Sequence, residues 1–244
     1  MDQLEDSALP AGLRRLWGLD PGRAGSTRRL SLDRVVAAAI ELADTEGLSA
    51  LSMARLADRL GSKPMSLYRH VDSKDDLLAF MTDAASRQPG PPEQIGPDWR
   101  SGLRRWANEL MAIYRRHPWI LHLPLTGPPL EPGQLAWLES GLRAQQDTAL
   151  TPAEKLLVVL ALLGYIRGQA ALYIGLAQAA PAPSLSYGAT LERLVDENSF
   201  PALTELLQAG VFDADPASGE PDESFMFGLE LLLDGVQALV DAHT

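Results

Sequence analysis

The chain has 244 residues and no cysteine, which excludes disulfide bonds and thiolate metal sites. Its four histidines (His70, His117, His122 and His243) lack the spacing of metal ligands, so we expect neither a metal nor another cofactor. Hydrophobic residues make up 46 % of the chain, enough for a sizeable core, and the formal net charge of −11 at first argues against a nucleic acid as partner.

The charge is unevenly distributed along the chain. Between Arg23 and Lys74 nine basic residues stand against six acidic ones, a balance of +3, whereas from residue 89 onward the balance is −10. A locally basic surface can bind phosphates while the rest of the molecule stays acidic. No apolar stretch typical of a signal peptide opens the chain, and the apolar run near Leu156–Leu163 is too short to span a bilayer. We therefore expect a soluble cytoplasmic protein with no membrane partner.

The N-terminal third divides into an arm and a small helical domain. Residues 1–30 contain glycine and proline punctuation and are predicted to be a flexible arm, in which Trp17 is able to dock on the body. Residues 31–88 show helical spacing of apolar residues, with serine caps at helix starts and glycines at helix ends. The predicted helices run from Ser31 to Gly47, from Ser52 to Gly61, from Lys63 or Pro64 to His70, and onward from Ser73.

A proline- and glycine-rich break, residues 89–97, separates this domain from the rest. Every periodic segment beyond it has helical spacing, and none alternates as a strand does. We therefore predict an all-α fold, with a larger helical domain over residues 98–244. Its predicted helices cover residues 98–116, 134–145, 152–176, 191–208 and 225–242.

The block from Leu51 to Leu78 carries the clearest functional signal. Two short helices are joined by Gly61-Ser62, where glycine supplies the backbone conformation of a tight turn. The second helix has one apolar stripe, formed by Met65, Leu67 and Val71, and an opposite face of hydrogen-bonding side chains. Such a short helix, braced by another behind it, is typical of a reader of the DNA major groove. Its polar face comprises Lys63, Ser66, Tyr68, Arg69 and His70, and Lys74 follows at the start of the next helix.

Three segments of this domain closely resemble the DNA-binding domain of the TetR family of repressors: residues 35–48 (VVAAAIELADTEGL), 51–61 (LSMARLADRLG) and 66–78 (SLYRHVDSKDDLL). The resemblance implies binding to double-stranded DNA. It implies that Arg28 and Arg29 enter a minor groove, that Lys63, Pro64, Met65 and Ser66 face the major groove, that Ser52, Tyr68, His70 and Lys74 contact phosphates, and that Arg69 contacts a base edge or a phosphate.

One position departs from the family pattern. Many relatives carry an arginine that reads a guanine where this chain has Ala54. Direct guanine readout from that position is therefore absent, and the adjacent Arg55 points elsewhere on the helix. The C-terminal part resembles the family only weakly, through short segments such as HPW (117–119) and LLGYIRG (162–168), which are similar to the branch around the tetracycline repressor.

Aromatic residues of the C-terminal domain predict either core packing or an effector cavity. A cavity lined by them would suit a small apolar or aromatic effector with one or two polar groups, for which Arg167 and Gln169 are candidates. The acidic balance of the domain weakly favours a cationic effector. The candidate contacts are Trp106, Leu110, Tyr114, Trp119, Trp137, Tyr165, Gln169 and Tyr173.

The two long C-terminal helices are apolar over a wide arc, and we expect them to pair with their mates in a four-helix dimer interface. Such a dimer would space two reading helices about 34–36 Å apart and bind a near-palindrome. The sequence thus predicts a ligand-responsive repressor. Two alternatives stay open: a DNA-binding regulator without a ligand, and an enzyme or partner-binding helical module. No paired acid and base or activated nucleophile is visible, so no catalytic residue is predicted.

Overall fold

The structure of the protein, a computed structural model, describes residues 9–19, 30–88, 90–92, 96, 98–124, 127–178, 187–212 and 221–243. These residues contain helices and no strand, which confirms the predicted fold class. Two 3₁₀ turns, Leu48–Ala50 and Pro118–His122, complete the secondary structure. The helices are α1 (Ala11–Leu16), α2 (Leu32–Glu46), α3 (Met53–Arg59), α4 (Pro64–Leu67), α5 (Lys74–Ser86), α6 (Trp99–Arg116), α7 (Pro132–Arg143), α8 (Pro152–Gln178), α9 (Tyr187–Leu194), α10 (Pro201–Gln208) and α11 (Pro221–Ala242).

Helices α2 to α5 form a compact unit, which we call the reading head. Its helix starts are those that the sequence predicts, because the hydroxyls of Ser31, Ser52 and Ser73 each accept a hydrogen bond from the amide three residues on. The unit closes around fully or almost fully buried aliphatic side chains contributed by all four helices. They are Val35, Leu42, Leu56, Leu67 and Leu77.

Helices α6, α7, α8 and α11 form the larger unit, which we call the effector domain. Helix α6 packs along α8, which in turn packs on α7 and α11. Helix α8 begins with a reciprocal capping box, since the Thr151 amide donates to Glu154 Oε2 at 2.8 Å and the Glu154 amide donates to Thr151 Oγ1 at 3.3 Å. This box confirms the predicted start of the longest helix.

The structure differs from the sequence prediction at three segments. Residues 11–16, within the predicted arm, form helix α1, which packs on α5. The predicted third helix ends at Leu67 instead of His70, and residues 68–70 form a turn. The predicted helix 191–208 is two helices, because the Asp196 carboxylate accepts hydrogen bonds from the amides of Asn198 and Ser199 and Pro201 then opens α10.

Helix α8 exposes much of its apolar surface. Over Pro152–Gly175 it is long and apolar enough to cross a membrane, although a third of its most apolar stretch is buried and core helices of soluble proteins meet the same criterion. This length differs from the sequence estimate, which considered only the run near Leu156–Leu163. Exposed large hydrophobic side chains of α8 and α11 are Leu156, Leu157, Leu160, Leu172, Tyr173, Phe227, Leu231 and Leu239.

Candidate functional site

Helices α3 and α4 form a helix-turn-helix. The turn between them contains Gly61 at a φ of +59°, in the left-handed region that glycine adopts without strain. The amide of Ser62 donates to the Ala57 carbonyl at 2.9 Å, which closes the end of α3 against the turn. Helix α4 then starts with Pro64 in its first turn, a position where the missing N–H costs nothing.

Helix α4 and its following turn have one buried and one open side. Leu67 and Val71 are fully buried and attach the segment to the core, whereas Met65 is 74 % exposed and Tyr68 45 % exposed. Met65 therefore belongs to the open face and not to the predicted apolar stripe, where its side chain would have been buried. The open face holds the predicted groove and phosphate contacts Lys63, Pro64, Met65, Ser66, Tyr68, Arg69 and His70, of which Ser66 and His70 are partly buried.

Two further predicted phosphate contacts flank this face. Ser52 uses its hydroxyl oxygen to cap α3, with the Arg55 amide as donor at 3.2 Å. The Lys74 ammonium donates to the Leu51 carbonyl at 3.0 Å, which ties the start of α5 to the residue before the N-cap of α3. Both side chains are exposed. Arg28 and Arg29, the predicted minor-groove contacts, lie outside the described residues.

The arginines of α3 are held by acidic residues of α2. Arg55 pairs with Glu46, and Arg59 pairs with Glu41 at 2.7 Å and with Glu46 at 3.6 Å. In the structure the Arg55 and Arg59 guanidinium groups are therefore directed toward α2. Ala54 itself is exposed.

An acidic side chain that the sequence did not single out joins the reading head to the effector domain. Asp44, on α2, accepts a hydrogen bond from the Trp119 indole at 2.7 Å and lies 2.8 Å from His117 Nδ1. Trp119 and His117 are buried, so their nitrogen groups depend on this carboxylate. A cleft of about 700 Å³ opens beside this contact, and its lining includes Asp44, Ser49, Lys74, Trp119 and His122.

Two indole groups connect α5, α7 and α6 in series. Trp137 Nε1 donates to the Ser86 carbonyl at 2.7 Å, and Trp106 Nε1 donates to the Trp137 carbonyl at 2.9 Å. Near the same junction the Gly133 amide donates to Asp83 at 2.7 Å. Of the predicted effector contacts, Trp106, Trp119 and Trp137 are thus buried with their N–H groups paired inside the protein.

The remaining predicted effector contacts fall into two groups on α6 and α8. The Arg167 guanidinium lies 5.6 Å from the centre of the Tyr114 ring, and the Arg115 guanidinium lies 5.1 Å from the Tyr173 ring. Burial raises the pKa of the Tyr114 phenol, and the neighbouring Arg167 charge opposes part of that rise. Leu110 is buried on the same helix as Tyr114, and Gln169 is partly buried on α8.

Tyr165 lies apart from that pair of arginines. Its ring stacks on Phe225 of α11 at 5.7 Å, and its hydroxyl donates to the Phe225 carbonyl at 2.8 Å. The ring also fits closely against Gly228, where a side chain would collide with it. Tyr165 therefore packs α8 against α11.

An ion network fixes the start of α6 on α11. Arg100 bonds both Glu230 and Asp234 at 2.6 Å, and Arg104 bonds Glu230 at 2.6 Å. Hydrogen bonds from Arg104 and Arg100 lower the pKa of the Glu230 carboxyl below its usual value. Helix α6 therefore contacts α11 at one end and, through His117, the reading head at the other.

Family models match both units. Residues 35–81 match the model described as bacterial regulatory proteins, tetR family. Residues 91–240 match that of the tetracyclin repressor-like C-terminal domain. The chain belongs to the TetR family. It is a transcriptional repressor of that family, and its helix-turn-helix is the family's DNA-binding unit.

Individual relatives of this TetR-family protein cover nearly its whole length. The HTH-type transcriptional repressor DrrR1 of Streptomyces coeruleorubidus is 34 % identical over 238 residues, 93 % of this chain and 85 % of that protein. Apo ActR of Streptomyces coelicolor matches with a TM-score of 0.73 at 25 % identity, over 90 % of this chain and all of that one. ActR in complex with actinorhodin matches with a TM-score of 0.71 at 25 % identity, over 86 % of this chain and 98 % of that one.

Proposed function

We propose that the protein is a cytoplasmic homodimeric repressor that binds a near-palindromic operator and leaves it when a small aromatic effector binds. The proposed DNA binding rests on the open face of α4 and its following turn. On this face Met65 and Tyr68 are exposed beside Lys63 and Arg69. Among the described residues, these two large side chains leave much of their surface open to solvent. They suit contact with thymine methyl groups and with the sugar-phosphate backbone.

The proposed homodimer rests on the exposed apolar surface of α8 and α11. Leu157 and Leu160 of α8 and Leu231 of α11 are all at least 48 % exposed in the single chain. Gly164 and Gly168 of α8 are also exposed, and a side chain built on either would meet no neighbour within 4 Å. A second copy packed on this surface would bury the leucines and approach closely at the glycines.

The proposed effector binding rests on Tyr114 and Tyr173, each of which faces an arginine. Guanidinium groups over aromatic rings bind flat aromatic ligands by stacking and acidic groups by charge-assisted hydrogen bonds. We therefore propose an aromatic effector with an acidic or phenolic group, in place of the cationic one suggested by the domain's overall charge. ActR, with a similar fold, has been crystallised with actinorhodin, which makes this compound the natural first probe.

The proposed mechanism is a shift between two spacings of the reading heads. The free dimer holds both heads at the distance of successive major grooves, and effector binding favours a different distance. Linkage then requires that operator DNA weakens effector binding by the same factor by which effector weakens operator binding. Equal effector affinity for the free and the DNA-bound protein would contradict this mechanism.

The first experiment is selection of tight-binding sequences from random duplex DNA by the purified full-length chain at physiological salt. We expect one enriched near-palindrome. Binding that is weak, salt-sensitive and unselective would contradict the proposal. The enriched duplex, labelled with a fluorophore, then reports release by actinorhodin and other aromatic acids. Retention of DNA with every compound, and no change in melting temperature, would favour a regulator without a ligand.

A further inference from the structure

The N-terminal helix α1 contacts both functional units of the molecule within three residues. The Arg15 guanidinium donates to the backbone carbonyl of His70 and pairs with Asp72 at 3.3 Å, immediately after the recognition helix α4. Two residues later, the Trp17 indole donates to the carbonyl of Leu130 at 2.9 Å, in the segment that leads into α7. Arg15 thus holds the reading head and Trp17 holds the effector domain.

The Arg15 contact is well supported on the reading-head side. Its guanidinium lies 5.9 Å from the centre of the Phe80 ring, and its side chain is only 14 % exposed. The neighbouring Gly12 lies against Asp76, so that a Cβ there would fall 2.5 Å from the Asp76 carboxylate. Helix α1 therefore sits close on α5 and beside the turn that ends α4.

We infer that α1 is a strap that fixes the angle of the reading head relative to the effector domain, with Arg15 and Trp17 as its positioning residues. This inference rests on the proposed function only in so far as that angle sets the spacing of the two heads on an operator. The other side-chain links between the units described above lie at two other places. One is Asp44 with Trp119, and the other is the junction of α5 and α7, where Ser86 bonds Trp137 and Asp83 bonds Gly133. A third attachment next to α4 restricts rotation of the head about those two.

The strap's contribution is orientation more than stability. Trp17 is 46 % exposed and the Asp72 side chain 43 % exposed, so loss of the Trp17–Leu130 hydrogen bond or of the Arg15–Asp72 ion pair has a small net cost. The glutamine in Arg15→Gln keeps a side-chain N–H donor for the less exposed contact with the His70 carbonyl. We therefore expect Trp17→Phe and Arg15→Gln to fold normally. The matched control is Arg14→Gln, because the Arg14 guanidinium donates to the Leu9 carbonyl within the same segment and the substitution removes the same charge.

The direct test measures the angle without DNA or effector. Because the chain has no cysteine, Ser62→Cys on the head and Glu139→Cys on α7 allow a spin label on each unit. Double electron–electron resonance on labelled chain diluted with unlabelled chain then gives the distance distribution within one chain. We expect Trp17→Phe and Arg15→Gln to broaden it roughly twofold, as for a hinge that has lost one restraint, with Arg14→Gln unchanged. Equal widths in all four proteins would overturn the strap.

The second readout uses the duplex obtained by selection and variants with one base pair added or removed between the half-sites. Loss of the strap should weaken the best spacing by about 2–10-fold, the worth of one net hydrogen bond, and the altered spacings by less. An equal loss at every spacing would show a merely structural role. Because the resonance measurement needs no DNA, absence of any DNA binding would refute the proposed function without bearing on the strap.

Discussion

Asp44 and Trp119 are joined by a hydrogen bond of 2.7 Å, although 75 residues separate them in the chain. The bond links the first helix of the reading head to the 3₁₀ turn after α6, and His117 adds a second contact to the same carboxylate. One side chain therefore satisfies two buried groups of the effector domain. No local feature of α2 marks Asp44 for this role.

Replacing Asp44 by alanine leaves the Trp119 N–H and His117 Nδ1 without their acceptor. We expect the free energy of unfolding to fall by about 1–3 kcal/mol, the cost of an unsatisfied buried donor. Urea unfolding followed by tryptophan fluorescence measures it. Asp58→Ala, at an exposed acid on α3, is the control and should stay within about 0.5 kcal/mol of the parent protein. A parent-like value for Asp44→Ala would show that water replaces the carboxylate.

Lys74→Ala tests the phosphate contact at the start of α5. We expect weaker binding to all DNA sequences by a similar factor and a salt slope lower by about one. Lys155→Ala is the matched control, because both ammonium groups donate to a backbone carbonyl at 3.0 Å while Lys155 lies in the effector domain. Titrations of labelled duplexes over a range of salt concentrations measure both slopes. A loss confined to one sequence would instead assign Lys74 to base recognition.

The helix-turn-helix was predictable from sequence because its signals are local. Ser31, Ser52 and Ser73 cap helices within three residues, and Gly61 marks the turn, so spacing alone located these elements. The contacts of the effector domain were harder to predict from the sequence. Trp106 and Trp137 donate their indole N–H groups to carbonyls 31 and 51 residues away, and such partners are set by packing and leave no periodic trace.

Helix α1 could not be predicted from the sequence pattern either. Its six residues are too few for a periodic pattern, and a helix this short is marginal in isolation. Packing against α5 and the contacts of Arg15 and Trp17 hold it. Only the tryptophan in a polar arm suggested docking.

Leu157→Glu tests the proposed dimer. Leu157 is 63 % exposed on α8, and a charge buried between two copies of this helix would have no partner. We expect sedimentation equilibrium to give the mass of one chain and operator binding to weaken accordingly. Leu194→Glu, at a leucine 72 % exposed on α9, is the control and should leave the mass of the parent protein unchanged. A dimeric Leu157→Glu protein would exclude this face.

Glu154 should make the free energy of unfolding depend on pH. Hydrogen bonds from the Thr151 hydroxyl and amide, with a further one from His243, lower the pKa of its carboxyl from 4.5 to about 2. A carboxyl whose pKa is lower in the folded than in the unfolded state stabilises the folded protein. This stabilisation is complete when the pH is above the unfolded-state pKa, and it is lost as the pH falls through the folded-state pKa. At pH values above 4.5, Glu154→Gln should therefore unfold at a lower urea concentration than the parent protein. The difference between the two urea midpoints should disappear as the pH approaches 2.

The control for this measurement is Glu139→Gln, at an exposed glutamate of α7. Its difference from the parent protein should stay constant over the same range. A constant gap for Glu154→Gln as well would show that the capping box acts without its charge.

Helix α6 is anchored at both ends and carries no proline, so it transmits motion as a rigid rod. Its 18 residues span about 27 Å, and a tilt of about 5° at the Arg100 end displaces the His117 end by about 2 Å. A tilt of this size near α11, too small to break any ion pair, would therefore shift the groups around Asp44 by an amount comparable to the tolerance of a hydrogen bond. In the proposed mechanism, a small tilt of α6 would move the reading head without any helix refolding.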